Sequence, residues 1–311
     1  MVSENERNIS LIGDISGSRL DLWLTQQIND ISRSYIQKLI EDGMIKVNGN
    51  IEKSSYKICI NDSVEVSIPP AKKTTVEPEN INLDIMYEDN DIIVINKPKN
   101  MVVHPAAGNY TGTLVNALMH HCRNSLSNIN GILRPGIVHR IDKDTTGVLV
   151  VAKNNHAHQF LSQKLKDHSI NRLYTALVSG TFSEERGRVD APISRNPVDR
   201  KKMAVVSKGG RNAITDFTVI ETYKNASLLE VKLKTGRTHQ IRVHMSYIGH
   251  PVLGDATYGR KTVNDEYGIY TQALHARILG FNHPVSGEYL EFESPIPEYF
   301  NNLIEKLKKL M

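Results

Sequence analysis

Residues 134–154 read RPGIVHRIDKDTTGVLVVAKN. Arg134-Pro135-Gly136 is a turn signal. A short strand follows, then the polar run HRIDKDTTG, then VLVVA (148–152), whose length suits a buried strand. A polar loop tied directly to a buried strand is well placed for function, because the sheet holds it still. This loop packs Asp142 and Asp144 among His139, Arg140 and Lys143. A carboxylate held beside a guanidinium stays ionised near neutral pH and serves as nucleophile or base. A charged hairpin loop with surface ion pairs has the same residue types, and the stretch by itself does not choose between the two readings.

Working outward, DIIVINKP (91–98) is a second short buried strand, ended by Pro98. Phe160, Leu161 and Leu165 share one face of a helix. LYTALVSG (173–180), AITDFTVIETY (213–223) and LLEVKLKT (228–235) read as further strands. Strands outnumber helices and do not alternate regularly with them. The fold class is therefore α+β, around a mixed, largely antiparallel central sheet, rather than a doubly wound parallel fold.

The N-terminal part has a different texture. Residues 1–15 read as a loose tail. Leu20, Trp23, Leu24 and Ile28 recur at helical spacing, and Tyr35, Ile36, Leu39 and Ile40 give a second amphipathic face. Ser34 and Gln37 fit a capping box, and Gly43 a helix stop. Ile45 and Val47 lead into the tight turn Asn48-Gly49; Val64, Val66 and Ile68 alternate as a strand. This makes a small α/β unit over 16–68. PPAKKTTVEPENIN (69–82) reads as a linker, and 83–311 as the larger domain.

The 311 residues carry a net charge of only +4, unevenly spread. Residues 1–77 hold 9 Lys/Arg against 11 Asp/Glu; residues 134–211 hold 15 against 7. The densest basic run, Arg195, Arg200, Lys201, Lys202, Lys208 and Arg211, suits contacts to phosphates and equally a solvated loop. No apolar run reaches the ~18 residues of a membrane span, and MVSENERNISLIGD lacks the apolar core of a signal peptide. Two distant cysteines, Cys59 and Cys122, make no disulfide framework, so a reduced cytoplasmic setting is the default; a monomer is the default state. Walker A, GxGxxG, GxSxG and CxxC patterns are all absent.

Two further stretches carry candidate chemistry. In TGRTHQIRVHMSYIGHPVLGD (235–255), Thr235 or Thr238 caps a helix whose apolar face is Ile241, Met245 and Ile248. Arg237 stands at its entrance, and Arg242 shares a face with Thr238. Arginines so placed bind a phosphate or pair with a carboxylate. His239, His244 and His250, like His120-His121-Cys122, lack the companions of a metal site. In RLYTALV (172–178), Tyr174 is either a core tyrosine with a bonded hydroxyl or a ring that stacks on a base.

Together these motifs resemble the RluA/RluD-type pseudouridine synthases. HRIDKDTTG, RLYTALV and TGRTHQIRVHM look like their three signature motifs, and INKPKNMVVHPA (95–106), LGDATYG (253–259) and QALHARILGFNHP (272–284) like flanking segments. RLDLWL, SRSYIQKLI and IKVNG are similar to an S4 RNA-binding domain. Ile141 stands where Leu is commoner, and Thr146 where Ser is. The resemblance implies a catalytic Asp142, rather than Asp144, with Arg242 paired to it and Tyr174 packed on the target base. The RNA contacts expected are Arg140, His139, Thr146, Arg237, Arg33 and Lys38 within these motifs and, from the basic run, Arg200, Lys201 and Lys202. The resemblance also implies no metal and no organic cofactor, and a substrate among large-subunit (23S) ribosomal RNA, free or in an assembling subunit, with no membrane partner.

Uridine isomerisation breaks the N1–C1′ bond, turns the uracil and rejoins it through C5. The base must leave its stack first. A carboxylate could attack C1′ or C6, or promote elimination at the ribose, and the residues do not choose. Two rivals remain at this level. A non-catalytic RNA-binding protein has no need of Asp142, Tyr174 and Arg242 together. A glycosidase or nuclease normally requires a second acid or a metal cluster.

Overall fold

The computed structural model describes residues 7–28, 31–69, 76–106, 108–123, 125–131, 134–200 and 202–310. The chain divides into two compact units, Met1–Thr74 and Thr75–Met311.

The first unit contains β1 (Arg7–Ile12), α1 (Leu20–Gln27), α2 (Arg33–Glu41), β2 (Ile45–Val47), β3 (Asn50–Ile51) and β4 (Ser63–Ile68). The strands form an antiparallel sheet in the order β1-β4-β2-β3. Residues 7–12, expected within a loose tail, are thus an edge strand: the alternating Ile9 and Leu11 pack against the core of this unit. Leu20, Trp23 and Leu24 of α1 meet Ile36, Leu39 and Ile40 of α2 over Val64 and Val66. Asn48 and Gly49 both take positive φ, 50° and 80°, which a two-residue hairpin between β2 and β3 requires.

Helix α2 starts earlier than its sequence suggests. Its cap is Ser32, whose hydroxyl accepts from the Tyr35 N–H, and not Ser34. With Ser32 as the cap, the third helical position is Tyr35 rather than Gln37, and the Gln37 amide donates to Asp21 at 2.6 Å. Asp21 is fully buried and also accepts from Arg19 and Arg33. Burial pushes its pKa up, but these donors outweigh that and hold it well below the usual carboxylate range.

The second unit contains β5 (Ile85–Glu88), β6 (Ile92–Lys97), α3 (Leu114–Cys122), β7 (Thr146–Ala152), α4 (Asn155–Lys166), β8 (Asn171–Ser179), β9 (Arg186–Asp190), β10 (Ile193–Arg195), β11 (Met203–Val205), β12 (Ile214–Thr222), β13 (Ala226–Leu233), α5 (Gln240–Tyr247), α6 (Lys261–Tyr267), β14 (Leu274–Asn282), β15 (Tyr289–Glu293) and α7 (Glu298–Lys308). Nine strands form one sheet in the order β5-β6-β7-β14-β8-β13-β12-β9, with β15 added along β14; β10 and β11 make a separate ribbon. Every pairing in the large sheet is antiparallel except β7 with β14. At that junction Gly147 has φ 115° and faces Ala276; an added Cβ would strike the Ala276 carbonyl.

Helices cover both faces of the sheet. Leu114 and Leu118 of α3 and Ile241 and Met245 of α5 pack with Ile93, Ile95, Leu149 and Val151. Ala157 and Leu161 of α4 pack with Ile92, Val94, Val148 and Val150 on the other face, and Phe300 and Leu303 of α7 with Leu177 and Leu228. That is why β6 and β7 read as continuous apolar runs rather than alternating ones. Part of the expected linker belongs to this unit. Val76 is buried in its core, the Glu77 carbonyl accepts from Asn116, and the Glu79 carboxylate accepts from the Gly112 N–H; residues 70–75 lie outside the described residues.

Candidate active site

The loop between Val138 and β7 is pinned at several points, leaving Asp142 displayed. His139 Nε2 accepts from the Val150 N–H at 3.1 Å. Burial and the nearby Arg172 push the His139 pKa down to about 3, so the ring is the neutral acceptor that this bond needs. Lys97, fully buried at the end of β6, donates to the carbonyls of Pro98, Met101 and Lys143 at 2.7, 2.9 and 3.0 Å. Gln272 donates to the Thr145 hydroxyl at 2.6 Å, and Thr146 pairs with His275 at 2.8 Å. The loop is therefore stitched to β6, β7 and β14, and its next side chain, Arg140, donates to His104 Nε2 at 3.2 Å.

Opposite this loop stands α5. Its cap position is His239 in the left-handed region, φ 57°, with no side-chain cap, so neither Thr235 nor Thr238 caps it. Thr235 is instead bonded to Gln240, whose carboxamide also accepts from the Arg237 N–H and donates to Ile214 O and Thr215 Oγ1. A saturated carboxamide locks the helix entrance to β12 without a conventional cap.

From the first turn of α5, Arg242 reaches Asp142. Nη1 donates to Asp142 Oδ2 at 2.9 Å, while Nε and Nη2 donate to the two oxygens of Asp255 at 2.7 and 2.9 Å. Asp255 is buried and also accepts from the backbone of Thr257 and Tyr258. Burial pushes the Arg242 pKa down, but Asp255 and Asp142 together hold it above its ordinary value. Arg242 also lies 5.1 Å from the centre of the Tyr258 ring. The Tyr258 hydroxyl accepts from the Met203 N–H at 2.8 Å and bonds His239 Nδ1 at 2.9 Å. The other ring nitrogen of His239, Nε2, lies 3.9 Å from Asp142 Oδ1.

Asp142 and Arg242 open into a cavity of about 520 Å³ shared by Tyr174, Arg140, Arg172 and Arg237. Tyr174 is 8% exposed, and burial raises the pKa of its phenol. Among the described residues, six Lys or Arg side chains line the cavity against one carboxylate, Asp142. A single acid in a basic, aromatic-walled cavity suits polyanion chemistry on a planar group, not a two-acid hydrolysis.

A family model described as RNA pseudouridylate synthase matches residues 91–247, and one described as an S4 domain matches residues 18–64. The chain belongs to the RNA pseudouridine synthases. The RNA pseudouridine synthase YlyB of Bacillus subtilis is 50% identical over 98% of this chain and 99% of its own length. The ribosomal large subunit pseudouridine synthase D of Zymomonas mobilis is 47% identical over 96% of each chain. Among solved structures, human RNA pseudouridylate synthase domain containing 1 has a TM-score of 0.57 at 26% identity, covering 74% of this chain and 96% of the human one. The synthase is an isomerase acting on RNA, with an N-terminal S4 domain and an α+β catalytic domain.

The site brings together some nominated residues of the synthase and not others. Asp142, Tyr174, Arg242, Arg140, His139 and Arg237 all line the cavity. Thr146 does not: it is buried against His275, and its neighbour Thr145 lines the cavity instead. His139 faces the cavity, but its Nε2 is engaged by Val150. Arg200 is exposed, and Lys202 lies 3.9 Å from Asp199, both outside the cavity lining; Lys201 lies outside the described residues. In the S4 domain Lys38 is exposed, whereas Arg33 is tied to the buried Asp21. His244 and His250 bond separate backbone and hydroxyl partners and do not converge with His239. His121 and Cys122 approach Glu88, whose oxygens are already bonded by His121 and Lys153 at 2.7 Å each.

Sequence reasoning missed Lys97, Arg172, Asp255 and Tyr258. All four stand inside quoted motifs, but Lys97, Asp255 and Tyr258 act through partners 46, 13 and 55 residues away in the chain, and Arg172 is set apart by its burial in the cavity wall. No local spacing signals such partnerships.

Proposed function

We propose that this synthase isomerises specific uridines of large-subunit (23S) ribosomal RNA in the cytoplasm. Asp142 carries the chemistry at the ribose or the base, Arg242 orients and charge-balances its carboxylate, and Tyr174 packs on the flipped uracil. The observation that carries this reading is the Asp142–Arg242 pair at 2.9 Å at the wall of a basic cavity that also holds Tyr174. Asp142 Oδ2 is committed to Arg242, which leaves Oδ1 to act on substrate. The choice of large-subunit RNA is supported by relatives that bear that substrate in their names at 47% and 42% identity. Arg140 and Arg237 at the cavity, with Arg200, Lys201, Lys202, Lys38 and the outer face of Arg33 elsewhere, serve as contacts to RNA phosphates. Two free cysteines, one exposed, fit a reducing compartment.

Tritium release from RNA labelled at uridine C5 tests the chemistry. Asp142→Asn should release none, while Asp144→Asn should keep most activity; an active Asp142→Asn sinks the assignment. Mapping pseudouridines in ribosomal RNA from cells lacking the protein tests the substrate, since the target sites should then remain uridine. A full set of large-subunit pseudouridines in those cells would exclude that substrate.

A further inference from the structure

Arg172 on β8 presents a second guanidinium to the cavity that holds Asp142. It is 6% exposed, and its Nε has no hydrogen-bond partner. Among the described residues no carboxylate pairs with it. Arg242, by contrast, engages two carboxylates. An arginine stays charged in a protein, and a buried, unpaired charge is costly. Burial accordingly pushes its pKa down.

The surroundings make room for this cation rather than neutralise it. A Cβ at Gly236 would come within 2.8 Å of Arg172 Nη1, so a glycine is what lets the guanidinium lie there. Arg172 and Tyr174 are two residues apart on β8 and therefore point to the same face. A cation held in this way lacks an anion that the free protein does not supply.

We propose that Arg172 is the counter-charge for the uracil as its N1–C1′ bond breaks. This rests on the reading of the cavity given above. The bonding pair leaves with the base, which becomes an anion spread over N1, O2 and O4. C1′ is satisfied by a bond to an Asp142 oxygen or by loss of the C2′ proton to that carboxylate. Attack of C5 on C1′ then expels the carboxylate, or draws the proton back to C2′. The C5-linked base so formed is neutral and still carries its C5 proton; that proton leaves C5 and a proton is taken up at N1, which gives the aromatic product base. Both routes pass through the same uracil anion, whose charge is absent in the bound substrate. A fixed donor that meets charge only as it develops lowers the barrier without tightening ground-state binding.

The test compares Arg172→Met and Arg172→Lys with wild type in three measurements: single-turnover tritium release at saturating enzyme, RNA affinity by filter binding across a salt series, and thermal unfolding. Arg172→Met should lose about 100-fold in rate, keep Kd within roughly threefold, and melt no lower than wild type, because an unpaired buried charge has been removed. Arg172→Lys should recover part of the rate. Gly236→Ala, which displaces the guanidinium without removing it, should show the same rate-selective loss. Unchanged rates overturn the proposal. So does weaker binding with a shallower salt slope at unchanged rate, which makes Arg172 a phosphate anchor; so does a lower melting temperature with parallel loss of rate and affinity, which makes it structural. Activity in Asp142→Asn, measured alongside, would instead overturn the parent reading.

Discussion

Arg242 Nη1 lies 2.9 Å from Asp142 Oδ2, joining residues one hundred apart in the chain, and the other two nitrogens of the same guanidinium fork onto Asp255. Asp255 thus sets the direction from which Arg242 meets the Asp142 carboxylate. A planar fork held on one side by two parallel bonds has little freedom on the other.

Replacing Asp255 therefore should reach the chemistry through Arg242. Asp255→Asn leaves a buried guanidinium short of charge and is expected to destabilise the second unit by ~3–5 kcal/mol in urea unfolding. Under conditions where it is folded, single-turnover rate should fall more than RNA affinity. Equal activity and stability to wild type would show that Arg242 is held by other means.

Lys97 ties three carbonyls together, one of them that of Lys143, the residue after Asp142. Lys97→Met removes the donor and leaves those oxygens unpaired in a buried site. The expected cost is about 3 kcal/mol or more in unfolding free energy, with a reduced rate because the loop is no longer pinned at Lys143. An unfolding midpoint identical to wild type contradicts this account.

Stability should depend on pH through the neutral histidines. Burial and Arg172 lower the His139 pKa to about 3, and burial with Arg140 and Arg134 lowers that of His104 to about 4. In the unfolded chain both protonate near 6.5. Between these values the unfolded chain binds more protons, so this contribution is full above about pH 6.5 and is lost as pH falls toward 3. Melting temperature measured from pH 7 to pH 4 should decline, and His139→Asn, which keeps an acceptor but does not titrate, should decline less steeply. Parallel curves for the two proteins would remove His139 from the explanation.

The domain boundary can be placed by truncation. Every residue lining the cavity lies in the second unit. A chain beginning at Val76 should fold and react with a short uridine-containing RNA, while binding its natural target less well for want of the S4 domain. A chain beginning at Leu83 also loses Val76 from the core, worth about 2 kcal/mol, and the Glu77 and Glu79 bonds to Asn116 and Gly112. Its melting temperature should be lower; equal values would mean that residues 76–82 are a linker after all.

Local signals were enough for most elements. Asn48-Gly49 demanded a tight turn, because few other pairs accept two positive φ values; the apolar runs 92–97 and 148–152 demanded strands buried on both faces. Gln37 and Thr235 fit caps by local spacing, but other partners take them: the Gln37 amide donates to the buried Asp21 carboxylate, and the Thr235 hydroxyl donates to Gln240 Oε1. Strand β1 escaped notice because an edge strand half open to solvent needs only two inward side chains, Ile9 and Leu11.

The sequence by itself determined the α+β class and the family, since these depend on periodicity and on motifs a few residues long, and through the family resemblance it pointed to the trio Asp142, Tyr174 and Arg242. Only the tertiary structure decided that Arg242 answers to Asp255 as well as Asp142, that Lys97 and His139 hold the loop, that Thr145 and not Thr146 faces the cavity, and that Arg172 stands unpaired beside them. Those facts are differences in desolvation and pairing between groups far apart in the chain, and such differences exist only once the sheet has brought the groups within a few ångströms of one another.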